Sequence, residues 1–179
     1  TRTLHICSPD RSGRLECIGG RLLEFFKNLF KSKSDISHLA RIELFKELNK
    51  IELLNISKYL IERHFKKNEM IYRENYPHVV LYLIKSGQVE IFLEQTTQNK
   101  VFAVLTENKH FGEIGLFNES TRITSAKALT DCTLYAISKY DFVKFISKFP
   151  GTGIKLLFKL AEGISTEFFN WIKHESDRS

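Results

Sequence analysis

The chain has 179 residues, of which 42% are hydrophobic and 27% are charged, and its net charge is +6. These values are typical of one globular domain with extensions, and no apolar run approaches the length of a membrane span. The lysines and arginines are spread along the chain rather than clustered, which argues for solubility and against nucleic-acid binding. Three widely spaced cysteines without a CxxC pair predict free thiols in a cytoplasmic protein and no metal site. Because the first residue is Thr1, the natural start of the chain is expected to be missing.

The N-terminal third, residues 1–62, has a helical pattern. Apolar residues recur at helical spacing from Leu15 to Phe30 and again from Ile42 to Leu60. A polar stretch, residues 31–35, separates the two runs as a loop. This pattern predicts a helical extension whose short helices pack on a larger body.

Residues 63–138 have a different pattern, in which apolar residues alternate or bunch in short runs between turn residues. The predicted strands lie at Glu69–Arg73, Val79–Ile84, Val89–Leu93, Val101–Leu105 and Cys132–Ile137. Many short strands at such spacing are typical of a sandwich or barrel rather than of βαβ units. The sequence therefore predicts a mainly β fold, an antiparallel β-roll with jelly-roll character between flanking helices.

Residues 139–179 return to helical spacing. A short amphipathic segment, residues 140–146, ends before Pro150-Gly151. A long helix follows, with an apolar stripe at Ile154, Leu157, Leu160, Ile164, Phe168 and Trp171. So long a stripe is not expected to stay in water on a lone helix. Part should cover the β-roll, and the rest should pair with a second copy in a homodimer or pack on residues 22–30.

One segment has the residue types of a ligand-binding site. It is the run Phe111-Gly112-Glu113-Ile114-Gly115 followed by Arg122. Glycines allow bare backbone N–H groups to approach a ligand, and an arginine can hold two phosphate oxygens with its planar fork. A carboxylate beside a phosphate would repel it unless it faces hydroxyl donors, such as those of a ribose. The pattern indicates a nucleotide with one compact negative charge. The alternative is a surface salt bridge between Glu113 and Arg122, worth about 0–1 kcal/mol.

The same segment resembles the phosphate-binding cassette of cyclic-nucleotide-binding domains. The resemblance extends from about Leu44 to Trp171, with Gly87 at the family's glycine turn and Phe149-Pro150 before its long last helix. It implies that Arg122 binds the cyclic phosphate of cAMP or cGMP and that Glu113 binds the ribose. It also implies that the base lies against β-strands and under the last helix. The expected ligand-binding residues are Ile91, Phe102, Ala103, Phe111, Gly112, Glu113, Ile114, Gly115, Arg122, Ile123, Thr124 and Phe168.

Several positions depart from the family pattern. Asparagines stand at 68, 75 and 108, where the family often has glycine, and asparagine tolerates the left-handed backbone region best after glycine. Thr124, where alanine is usual, could donate a hydrogen bond to the phosphate or crowd it. Ile123 replaces the hydroxyl residue that contacts guanine in cGMP-selective relatives, which favours cAMP. In any β-roll Phe102 is also expected to be a plain core residue.

The sequence predicts a regulatory binding module rather than an enzyme. It contains no recognisable catalytic motif and no cluster of residues at metal-ligand spacing, and its six histidines are scattered. Two alternatives stay open. One is an interaction scaffold that binds no nucleotide. The other is the sensor fragment of a transcription regulator, although few residues follow Ile172 for a DNA-binding domain.

Overall fold

The computed structural model describes residues 7–9, 15–17, 33–77, 80–94, 100–117 and 121–176. Within these ranges the helices are α1 (Lys33–Leu39), α2 (Lys50–Ser57), α3 (Ile114–Phe117), α4 (Lys139–Lys148) and α5 (Pro150–Ser176), with a 3₁₀ turn at Glu43–Phe45. The strands are β1 (Cys7–Pro9), β2 (Leu15–Cys17), β3 (Ile61–Phe65), β4 (Met70–Tyr72), β5 (Val80–Ser86), β6 (Val89–Leu93), β7 (Lys100–Leu105), β8 (His110–Phe111), β9 (Ser125–Ala128) and β10 (Cys132–Ser138).

Eight of the strands form two four-stranded antiparallel sheets. One sheet has the order β3-β10-β5-β8 and the other has the order β4-β9-β6-β7. Because strands that are distant in sequence are neighbours in both sheets, the chain winds as a roll. The predicted antiparallel β-roll with flanking helices is confirmed.

The two central strands of the first sheet, β5 and β10, bury residues on both of their faces. Leu81 and Leu83 belong to a core cluster with helical residues such as Phe145 and Leu156. The alternate residue Ile84 belongs to a second cluster, inside the roll, with Val89, Ala126 and Leu134. Side chains of a strand point alternately to opposite faces, so one sheet can separate a helical layer from the roll interior. This explains the nearly continuous apolar runs of β5 and β10.

The turns use the left-handed backbone that the sequence predicts for them. Asn68, Asn75 and Asn108 have φ values of 68°, 64° and 68°. Gly87, between β5 and β6, has a φ of 95°, and a Cβ there would lie 2.6 Å from the Asp131 carbonyl oxygen. The asparagines therefore replace glycine at turns where only the backbone angle matters, whereas Gly87 also needs the missing side chain.

The C-terminal helices follow the predicted boundaries. Ser138 caps α4, its hydroxyl accepting from the Asp141 N–H at 3.0 Å, and α5 begins at Pro150 after α4 ends. The first half of α5 is anchored, since Leu156 and Leu160 are fully buried, whereas residues 165–170 are exposed. No described helix is long and apolar enough to cross a membrane.

Four local expectations differ from the structure. Residues 33–35 of the expected loop belong to helix α1. Leu15–Cys17 is a strand paired with Cys7–Pro9, not the start of a helix, and residues 18–32 of that predicted helix lie outside the described residues. The roll begins at Ile61, two residues before the expected boundary, because β3 pairs with β10. Strand β9 was not predicted, because Ser125-Ala126-Lys127-Ala128 has weak strand propensity and is held by its neighbours β4 and β6.

Candidate functional site

The cassette backbone starts where β8 ends against β5, with Phe111 opposite Tyr82. Gly112 follows with a φ of 84°, which turns the chain away from the sheet. One helical turn, α3, comes next, and its Leu116 N–H donates to the Glu113 carbonyl at 2.9 Å. The motif therefore forms the strand–turn–helix unit that a phosphate cassette requires.

Arg122 lies beneath this turn and is only 3% exposed. Its Nη2 donates to the Val80 carbonyl at 2.7 Å, and its guanidinium carbon lies 3.8 Å from the centroid of the Tyr72 ring. A Cβ on Gly112 would lie 2.6 Å from Nη1, so the guanidinium and the cassette backbone approach closely only because residue 112 is glycine. The main chain of Arg122 is held by hydrogen bonds of 2.8 Å with Asn75 and Tyr76.

Both charged side chains keep unused hydrogen-bonding capacity. The Nε and Nη1 atoms of Arg122 and the Oε2 atom of Glu113 are buried and meet no hydrogen-bond partner among the described residues. Burial lowers the pKa of Arg122, although a guanidinium stays protonated in proteins. Burial raises the pKa of Glu113, Glu167 raises it further and Arg122 opposes the rise. A buried cation and a nearby buried carboxyl that leave each other's atoms unsatisfied do not form a surface salt bridge.

A cavity of about 430 Å³ lies between the cassette and α5. Glu113, His110 and Leu105 line it from the roll, and Ile164 and Glu167 line it from α5. Burial raises the pKa of Glu167 and lowers that of His110, which is partly buried in this cavity wall. Arg122 lines a different hollow, of about 470 Å³, together with Tyr72, Val80 and Tyr82.

The residues expected to meet the base have mixed placements. Ile91 and Ala103 face each other across β6 and β7 and are partly buried. Phe102 is 51% exposed, so its expected core role is wrong. The register shifts between Ile91 and Phe92, which leaves Phe102 without a cross-strand partner on an edge strand. Val101 and Val104, which are paired, are exposed to the same extent, so the error follows from the position of β7 at the sheet edge, which periodicity alone does not reveal.

The remaining expected residues surround the cassette. Phe111 and Gly115 are buried, Ile114 and Ile123 are exposed, and Thr124 is partly buried within hydrogen-bonding reach of the Tyr72 hydroxyl. Phe168 is 61% exposed and, unlike its neighbour Glu167, does not line the cavity. The structure therefore packs Gly112 against Arg122, but Glu113 lines the cavity beside α5 and Arg122 lines the other hollow. Phe102 and Phe168 line neither hollow.

Sequence reasoning missed Tyr72 and Val80. Val80 acts through a backbone carbonyl, which no residue type signals, and Tyr72 is one of several apolar residues in a predicted strand. The described residues include no group of three or more His, Cys, Asp or Glu that could hold a metal ion.

Comparison with known proteins agrees with this geometry. Residues 62–149 match the family model described as the cyclic nucleotide-binding domain. The Cyclic AMP receptor protein of Thermus thermophilus is 30% identical over 93 residues, which are 51% of this chain and 43% of that protein. The chain spans less than half the length of the first curated relatives that it matches, 29% and 43% for two of them.

Solved structures support the same assignment. A cyclic nucleotide-binding domain from Methylobacillus flagellatus superposes with a TM-score of 0.74, covering 82% of this chain and 85% of that one, and at 16% identity it shows the fold. The cAMP-bound structure of PfPKA-R is 30% identical with a TM-score of 0.58, covering 65% of this chain and 43% of that one. Residues 62–149, just under half of the chain, therefore form a cyclic nucleotide-binding domain.

Proposed function

We propose that the chain is a sensor that binds a cyclic nucleotide at the cassette and reports occupancy through α5. Arg122 binds the cyclic phosphate and Glu113 accepts hydrogen bonds from the ribose. The chain contributes charge, shape and movement, and no chemical step is required of it.

One observation carries the proposal, the pair of complementary unsatisfied groups at the cassette. Arg122 has two buried nitrogens without a partner, and Glu113 has one buried carboxylate oxygen without a partner, among the described residues. Leaving such groups unpaired costs about 1–3 kcal/mol each, and more when they are charged. A ligand with an anionic phosphate next to hydroxyl donors satisfies both groups at once, which a simple anion or sugar does not.

Signalling would follow from the two halves of α5. The first half is fixed by Leu156 and Leu160, whereas Ile164 and Glu167 reach the cavity that Glu113 lines. A nucleotide held by Glu113 would contact this second half, and it shifts the helix only if it binds one helix position more tightly than another. The relative named as a Cyclic AMP receptor protein and the cAMP-bound PfPKA-R support a cyclic nucleotide as the signal.

The base is proposed to be adenine. Ile123 offers no hydroxyl to guanine, so cAMP should bind at least as tightly as cGMP. Thr124, a hydroxyl residue two positions after Arg122, lies near Tyr72. A clear preference for cGMP would show that another donor, such as Thr124, recognises the base.

Calorimetric titration of the 179-residue chain with cAMP and cGMP tests the proposal. Arg122→Ala should abolish measurable binding with the fold intact, and Arg122→Lys should recover little, because an ammonium cannot form the planar fork. Lys127→Ala is the matched control, since Lys127 is a neighbouring cation whose Nζ pairs with Glu90 at 3.0 Å. Unchanged affinity in the Arg122 variants would overturn the assignment, and no binding to the unmodified chain would favour the scaffold alternative.

A further inference from the structure

The guanidinium of Arg122 is held in a slot that the cassette supplies only in part. Tyr72, on β4, presents its ring face to the guanidinium carbon at a centroid distance of 3.8 Å. The Val80 carbonyl accepts from Nη2, and the bare backbone of Gly112 closes the slot near Nη1. A cation over a tyrosine face is stabilised by the ring quadrupole, more strongly when water is excluded. Arg122 is excluded from water in this way.

Tyr72 is itself fixed on two sides. Its ring belongs to an aromatic cluster, 6.2 Å from the centroid of Tyr82 and 6.0 Å from that of Phe111, while Tyr82 and Phe111 stack at 5.2 Å. Its hydroxyl lies near Thr124. Burial raises the pKa of Tyr72, so the hydroxyl keeps its proton at neutral pH. One side chain therefore packs against Arg122 and lies near Thr124, two residues of the cassette.

We propose that Tyr72 is a positioning residue for the phosphate-binding arginine. Its ring sets the plane of the Arg122 guanidinium, and its hydroxyl ties Thr124 to strand β4. This role rests on the proposed function, because its consequence is the affinity for a cyclic nucleotide. An arginine held before binding loses less conformational freedom when the phosphate arrives, so the role is one of preorganisation. It also assigns to Thr124 a structural use in place of direct base contact.

Two measurements on the 179-residue chain test the role. Titration with cAMP should show affinity about tenfold or more weaker in Tyr72→Leu, which removes ring and hydroxyl. Tyr72→Phe keeps the ring, and its affinity for cAMP should fall less, about two- to fivefold, as expected for the loss of one neutral hydrogen bond. Nitrogen-15 NMR without nucleotide follows the Arg122 Nε–H, identified by its absence in Arg122→Lys. A ring face this close should shift that proton upfield, and Tyr72→Leu should remove the shift and speed its exchange with water.

A control separates positioning from simple loss of packing. Phe92→Leu removes a buried ring that lies under Lys127 rather than Arg122. This variant should leave the Arg122 signal in place and cAMP affinity within about twofold. If nucleotide binds and Tyr72→Leu keeps its affinity within that range, the positioning role is wrong. If no nucleotide binds, the proposed function fails, and the NMR comparison still decides, because an Arg122 signal unchanged in Tyr72→Leu overturns the role.

Discussion

At the scale of single residues, the geometry of the cassette depends on the absence of a side chain at Gly112. Gly112 has a positive φ and no side chain, and both properties allow Arg122 to pack directly beneath the backbone. The same close packing removes water from Glu113, which is 9% exposed. The binding groups are thus held buried and unsatisfied, and the free protein bears an energetic cost that a bound ligand would relieve.

The buried Glu113 predicts a specific dependence of stability on pH. Its pKa in the folded protein is raised above the ordinary value of 4.5 by burial and by Glu167. Between pH 4.5 and the raised pKa of Glu113 the folded chain binds more protons than the unfolded chain. The contribution of this carboxyl to stability is therefore fully present below pH 4.5 and is lost as pH rises. Relative to Glu113→Gln, which cannot ionise, the free wild-type chain should therefore lose unfolding free energy as pH rises through the raised pKa.

Urea unfolding of nucleotide-free protein at a series of pH values measures this difference. Glu107→Gln, which removes an exposed carboxylate from the turn after β7, controls for the loss of one negative charge. Wild-type and Glu113→Gln curves that stay parallel across the range would contradict the burial of a carboxylate at this site.

At the scale of elements, the start of α5 is fastened to α2 through one carboxylate. Glu52 accepts from the Asn49 N–H at 2.8 Å, which completes the capping box of α2. It also accepts from Lys155 at 2.9 and 3.0 Å and from the Thr152 hydroxyl at 3.3 Å. One residue therefore serves both a helix N-terminus and a contact between helices, and it fixes the end of α5 that lies far from the cavity residues Ile164 and Glu167.

Glu52→Ala should lower the free energy of unfolding by about 1–2 kcal/mol, because it removes a cap interaction and leaves partly buried donors without their acceptor. Lys66→Ala is the control, since it breaks an ion pair with Asp131 in which both side chains are mostly exposed, and such a pair is worth about 0–1 kcal/mol. Denaturant unfolding of both variants measures the two values. Equal losses in the two variants would mean that Glu52 does not anchor α5.

At the scale of the whole molecule, the second half of α5 leaves apolar surface uncovered. Phe169 and Ile172 are exposed, and Phe168 is exposed as well. Exposed aromatic stripes of this kind mark interaction surfaces. We expect reversible homodimers, seen by light scattering as a mass that rises with concentration, and Phe169→Glu should weaken them by placing a charge in the seam.

The alternative to a homodimer is that residues 22–30 of the same chain cover the apolar side chains of α5. Those residues lie outside the described part of the chain. In that arrangement the wild type stays monomeric at high concentration, and Phe169→Glu lowers the melting temperature instead of changing the mass. A strict monomer whose stability Phe169→Glu leaves unchanged would contradict both covers.

The sequence by itself determined the class of fold and the cassette. Strand periodicity, Asn and Gly turns and the Pro150 boundary are local signals, and each reports a backbone preference that survives in the structure. The Gly112-Glu113 turn with Arg122 is a local motif as well, so its resemblance to a known family could be recognised from the sequence. Whether the long helix pairs with another copy or with residues 22–30 stays a prediction.

Only the tertiary structure decided which side chains meet at the site. Tyr72 reaches Arg122 because β4 pairs with β9 in a register that places Tyr72 opposite Ala126. Phe102 is exposed because β7 is an edge strand, on which Val101 and Val104 are exposed as well. Both outcomes depend on how the strands pair, and periodicity carries no information about the order or register of that pairing. The burial that raises the pKa of Glu113 likewise depends on how the cassette packs and not on its residue types.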